Sequence, residues 1–142
     1  MVLVYPQIVT GADLLRGIIK LDQLAPLLQR RGAKSVGIVN SKMYGVRSFC
    51  KVMEKYGVRP VIGLSIRLEL DDESDILLYA YAKDDKGYGN LLKMSSAIST
   101  REQETLPLKW LQAYSEGCVF ICPMTNRSWN DKRGTETIQT IL

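Results

Sequence analysis

A chain of 142 residues with 46% hydrophobic and 24% charged residues has enough apolar material for one globular core and too little for two ordinary domains. Its net charge of +4 is spread over separate groups, Arg30-Arg31-Lys34, Lys51-Lys55-Arg59 and Arg127-Lys132-Arg133. It forms no dense basic stripe interleaved with aromatics, which argues against nucleic-acid binding by the chain itself. No apolar run reaches the length of a membrane span and the amino terminus lacks the regions of a secretion signal, so the sequence reads as cytoplasmic, one domain over residues 1–142.

In chain order, Val2-Leu3-Val4 starts a strand that continues past Pro6 to Ile8-Val9, and Thr10 or Asp13 caps a short helical turn through Leu14 and Leu15. A helix is expected from Asp22 to Arg31, with Asp22 as N-cap, Leu24, Leu27 and Leu28 inward, Pro26 in or just after the first turn and Gly32 at the stop. The stretch that organises the chain runs from Ser35 to Gly63. Val36, Ile38 and Val39 form a β-branched run, and Val46, Phe49, Cys50 and Met53 have the three-and-four spacing of a helix that ends at Gly57. Pro60 then opens a strand through Val61-Ile62. Two strands joined by a helical crossover run parallel, and parallel sheets place functional loops at the carboxyl ends of their strands, here Asn40 to Gly45. Packing of Met43 and Tyr44 is expected to position that loop, with Gly45 and Gly63 as its structural glycines.

Leu64, Ile66, Leu68 and Leu70 alternate with Ser65, Arg67 and Glu69, the pattern of a strand with one wet face. Asp71-Asp72-Glu73-Ser74-Asp75 lacks the glycine and final glutamate of a calcium loop and reads as a solvated turn before a returning strand, Ile76 to Ala82. Asp84 caps a helix through Ile98, Ser99 to Thr105 is a polar linker, and Pro107 opens a short helix through Tyr114. Cys118 to Cys122 is a last strand and Thr135 to Leu142 begins a helix. In a strand, Cys118 and Cys122 stand roughly 13 Å apart, too far for a disulfide, so they and Cys50 read as free thiols.

Leu14-Leu15 with Gly17, Met43-Tyr44-Gly45 with Phe49, Tyr56-Gly57 with Pro60 and Ile62-Gly63, Ala82-Lys83 with Gly87-Tyr88 and Asn90-Leu91, and Lys109-Trp110-Leu111 with Tyr114-Ser115-Glu116-Gly117 together resemble one family. It is the amino-terminal PHP (polymerase and histidinol phosphatase) domain of the catalytic alpha subunit of bacterial DNA polymerase III, matched in register from about Val4 to Pro123. The resemblance implies an α/β fold of βα units, the amino-terminal portion of a distorted PHP-type (βα)7 barrel. It also implies strand ends that hold metal ions for phosphoester hydrolysis. The ligand positions of the family fall here on Gln7, Val9, Arg16, Val39, Asn40, Ser65 and Met124, with Ile38 beside them.

A chain without histidine lacks the commonest transition-metal ligand, and valine or methionine offers no hard oxygen or imidazole donor. Arg16 places a fixed positive charge where cations should collect, a repulsion of roughly 4 kcal/mol per unit charge at about 4 Å and an effective dielectric near 20. No metal, no other cofactor and no catalytic residue is therefore expected. The resemblance implies a non-catalytic structural and interaction module in DNA replication, partnered by the remainder of the alpha subunit and other replisome subunits, with DNA reached only through the parent polymerase. The alternative is a metal-dependent phosphoesterase or 3′–5′ proofreading nuclease. A chain that stops partway round a barrel leaves an open edge at Leu64 to Leu70 or Cys118 to Cys122, and self-association is the expected result.

Overall fold

The computed structural model describes residues 3–8, 20–71 and 74–123, and in it the chain forms two compact units, Met1–Leu64 and Ser65–Leu142. The turn of helix expected near Leu14, the 135–142 helix, and positions Val9, Arg16 and Met124 lie outside the described residues.

In the first unit, β1 (Leu3–Ile8), α1 (Leu21–Arg30), β2 (Ala33–Asn40), α2 (Val46–Lys55) and the start of β3 (Arg59–Asp71) alternate as the sequence predicts. β2 pairs parallel with β1 on one side and with β3 on the other, Val36 opposite both Tyr5 and Pro60. A strand flanked on both sides and covered by helices reads as a continuous apolar run, and residues 36–40 are all buried. Pro6 is tolerated because β1 pairs, among the described residues, with β2 alone, so its missing N–H breaks no ladder. The chain passes so close there that a Cβ on Gly37 would stand 2.0 Å from the Pro6 carbonyl oxygen. The helices close the core with Ala25 and Leu28 from α1 and Phe49 and Met53 from α2, packed on Val36, Ile38 and Val58.

Two expectations for α1 are corrected. Its N-cap is Lys20, with no side-chain cap bond, and Asp22 lies inside the first turn, because the helix starts early enough to pack Leu21 on the core. Shifting the start does not change the phase: Ala25 fills the inward position, while Leu27 is 45% exposed. Pro26 is inside the helix, where the Asp22 carbonyl loses its partner four residues on.

The second unit takes the rest of β3, then β4 (Ser74–Ala82), α3 (Asp85–Ser99), β5 (Leu106–Pro107), α4 (Leu108–Ala113) and β6 (Cys118–Ile121). The predicted alternation in β3 is present: Ile66 and Leu68 are fully buried and Arg67 is exposed, its guanidinium paired with Asp75 of β4. Arg101 binds Glu69 at 2.8 Å. α3 covers this unit with Leu91, Met94, Ala97 and Ile98. Thr105 Oγ1 is buried without a hydrogen-bond partner among the described residues, and nothing around it accounts for that.

Residues 64–70 are not an open edge, contrary to expectation. β3 has β4 as a neighbour and also pairs parallel with β5 at Leu68 and Glu69, a two-residue strand too short to show a periodicity. β6, the other expected edge, pairs antiparallel with β4, Ala82 opposite Cys118, and among the described residues has no second neighbour. Its Val119 and Ile121 are 48% and 46% exposed.

Candidate functional site

The carboxyl ends of β1 and β2, with the part of β3 that pairs beside them, bring together Gln7, Val39, Asn40 and Gly63. Ile8 is opposite Ile38, Val39 opposite Gly63, and Asn40 opposite Leu64. Gln7 is exposed, Val39 and Asn40 are buried to 2%, and Ser65 follows Leu64 along β3, half-buried. All the described ligand positions are therefore neutral, and none carries a carboxylate, imidazole or thiolate. Among the described residues no three His, Cys, Asp or Glu side chains gather closely enough to hold a cation.

The loop that leaves Asn40 is held by backbone geometry. Gly45 caps α2 at φ 72°, a left-handed value that costs a glycine nothing, and its carbonyl accepts the Phe49 amide at 2.9 Å. Val46 and Phe49 then bury the first turn. Met43 is half-buried, but Tyr44 is 65% exposed and does not pin the loop as expected. An aromatic two residues before a helix looks like a staple in sequence, yet here the buried Val46 makes that contact with the core.

The other family-like segments meet in the second unit, and there they build a clasp. Asp84 Oδ1 accepts the Gly87 amide at 2.8 Å, capping α3 as predicted. The carbonyl oxygen of Gly117, a residue at φ 75°, accepts the Lys83 amide at 2.8 Å, and Asn90 Nδ2 donates to the Glu116 carbonyl at 2.8 Å. The two glycines touch: a Cβ on Gly87 would lie 1.9 Å from the Gly117 carbonyl oxygen. Lys86 pairs with Glu116 across the same junction, and Lys93 Nζ sits 5.2 Å over the Tyr114 ring, itself 5.5 Å from Trp110.

Neither Cys50 nor Cys118 is activated. Burial pushes Cys118 up, with Asp84 adding to it, and its Sγ lies 3.6 Å from the Gly87 carbonyl oxygen. Burial likewise raises Cys50, with a smaller contribution from Glu54. Both stay protonated near neutral pH, the opposite of a nucleophile or metal ligand. All three cysteines are free.

A βα arrangement with these segments in this order defines a class, and the chain belongs to the PHP domain family, matched over residues 9–127. The similarity read from the sequence, to the PHP domain of the DNA polymerase III alpha subunit, is found directly. The chain is 34% identical over 124 residues to the DNA polymerase III subunit alpha of Bacillus subtilis (strain 168), covering 84% of this chain and 11% of that protein. It is 35% identical over 134 residues to that of Campylobacter jejuni subsp. jejuni, covering 85% and 11%. A solved structure described as a candidate metal-dependent phosphoesterase from Bifidobacterium adolescentis matches with a TM-score of 0.47 at 15% identity, over 68% of this chain and 32% of that one. The chain spans about a tenth of the length of the curated relatives it matches. No helix among the described residues is long and apolar enough to cross a membrane.

Proposed function

We propose that the chain is a non-catalytic structural and interaction module of a DNA polymerase III alpha subunit, serving DNA replication in the cytoplasm of a bacterium. The observation that carries this reading is the donor set. Where PHP enzymes would gather metal ligands, this sequence has Gln7, Val9, Arg16, Val39, Asn40, Ser65 and Met124. Neutral amides, a hydroxyl and a thioether do not offset the dehydration of a divalent ion, and Arg16 would repel it. The residues do not fit a catalytic metal. The family-like segments of the second unit point the same way, because Asp84, Gly87, Asn90 and Gly117 are occupied in holding backbone to backbone.

In this reading the remainder of the alpha subunit is the first partner and other replisome subunits follow, while nucleotidyl transfer belongs to the parent polymerase. The chain supplies the amino-terminal portion of a (βα)7 barrel as one domain, and β6 is the edge that a following segment extends. By itself the 142-residue chain then self-associates through Val119 and Ile121. The decisive experiment is elemental analysis after purification without chelator, with hydrolysis of p-nitrophenyl phosphate and of a 3′-labelled oligonucleotide in Mn²⁺ or Zn²⁺. We expect well under one ion per chain and rates equal to the protein-free control. A stoichiometric ion with hydrolysis abolished by Asn40→Ala would overturn the proposal in favour of a phosphoesterase or proofreading nuclease.

A further inference from the structure

Charges that are scattered along the sequence are not shared evenly by the two units. The first holds ten of the 19 Lys and Arg and three of the 15 Asp and Glu, a net of +7; the second holds nine against twelve, a net of −3, and the two make the chain's +4. Topology concentrates the excess further. α1 ends at Arg30 just before β2, and α2 ends at Lys55 just before β3, with β2 and β3 parallel and Ser35 opposite Arg59. A crossover helix runs back along its strands, so its carboxyl end lies at the amino end of the strand that follows. Arg30, Arg31, Lys34, Lys55 and Arg59 therefore collect at the amino ends of β2 and β3, the opposite end of the unit from the Asn40 loop. Lys51 stands one turn before Lys55 on the same exposed face of α2.

All six side chains are exposed. The ion pairs Arg67–Asp75, Lys86–Glu116 and Arg101–Glu69 lie in the second unit, whereas the contacts of these six are with neutral groups: Arg31 donates to the Tyr5 hydroxyl at 3.5 Å and Lys55 lies 5.9 Å over the Tyr56 ring. The acids described in the first unit are Asp22, in the opposite end turn of α1, and Glu54. Helix carboxyl ends favour a cation each, which accounts for Arg30 and Lys55 and leaves the rest repelling one another. Such a face, exposed and low in acids, attracts anions supplied from outside.

We propose that this end of the first unit is a docking surface for the sugar–phosphate backbone of duplex DNA. The inference stands on charge and topology and does not rest on the functional reading above. A protein partner would call for an apolar centre and few lysines, whereas among the described residues the large apolar side chains exposed nearby are Val4 and Leu27. A single strand would call for stacking aromatics, and Tyr56 is half-buried beneath Lys55. A regular row of phosphates needs only the cations.

The test is fluorescence anisotropy of the 142-residue chain with a labelled DNA duplex of 20 base pairs at 50 to 300 mM salt. Binding is expected, with log K falling against log salt at about −0.9 per phosphate neutralised. The exchange Lys51→Glu/Lys55→Glu/Arg59→Glu should weaken it at least tenfold at 50 mM salt and flatten the slope by about 3. Lys51→Glu alone should repeat a smaller part of that loss with an unchanged circular dichroism spectrum, and Lys109→Glu in the second unit should stay within twofold. Absence of binding at 50 mM salt would overturn the proposal, as would an equal loss in Lys109→Glu. So would equal or tighter binding of the single strand, of poly-glutamate or of phosphatidylserine vesicles, or a sedimentation profile in which the triple exchange abolishes self-association and leaves duplex binding intact.

Discussion

Two junctions in this chain, both built from family-like segments, hold their shape in different ways. The loop from Asn40 to Gly45 is anchored from below, by β2 on one side and by Val46 and Phe49 on the other, and Tyr44 between them stands in solvent. The clasp between α3 and the turn at residues 114–117 turns on direct contact of backbones at two glycines, with Asn90 and Lys86 bonding across it. At the first junction the named aromatic is dispensable and the core is not. At the second, the smallest residues bear the constraint, and that difference can be measured.

The largest effect should come from Phe49→Ala, which empties a fully buried aromatic position and is expected to cost about 3 to 5 kcal/mol in urea unfolding. Tyr44→Ala should stay within about 0.5 kcal/mol. A large loss at Tyr44 would mean that the loop is pinned from outside after all. Next in size are two glycine replacements in α3 whose signs should differ. Helix propensity alone favours alanine by about 1 kcal/mol at either position. Gly89→Ala, with open space around its Cβ, should realise that gain as a higher Tm. Gly87→Ala should instead lose about 3 kcal/mol, because the Gly117 carbonyl must move. Two gains of equal size would dissolve the clasp.

The smallest effect is on pH dependence. Cys50, Cys118 and Tyr81 all have pKa values raised in the folded chain, chiefly by burial. A raised pKa means that the native state holds its proton longer. The stability contributed is complete below the ordinary thiol value of 9.0 and is lost as pH climbs past it toward the native value. Tm should be flat from pH 7 to 8.5 and fall above it, and the fall should be shallower in Cys118→Ala. Iodoacetamide should label Cys118 slowly at pH 7.5, whereas rapid labelling would indicate an opened clasp.

Much of this was legible in the residues. The β-branched run at Val36 to Val39, the spacing of Val46, Phe49 and Met53, and Asp84 ahead of a helix each carry their cause locally, and the elements formed where those signals stand. What was missed depends on partners distant in sequence. β5 is two residues long and exists only because β3 accepts it. Tyr44 resembles a core aromatic until Val46 is seen to take the inward position. The start of α1 is set by Leu21, a residue ahead of the expected cap. The cations at the amino ends of β2 and β3 looked scattered because crossover topology, not sequence distance, gathers them. At the candidate site, the sequence shows that Gln7, Val39, Asn40 and Ser65 carry no charge, while which of them are neighbours needed the strand register.

The clasp also has a kinetic meaning. The Lys83 amide lies in a bend between strand and helix, a place where an N–H ordinarily exchanges with solvent in a fast, local event, but here it is bonded to the Gly117 carbonyl more than thirty residues away. Its exchange must wait for the turn at residues 114–117 to lift off α3. One amide in a short connector therefore acts as a clock for the opening of the turn at residues 114–117, ticking as that turn comes away from α3.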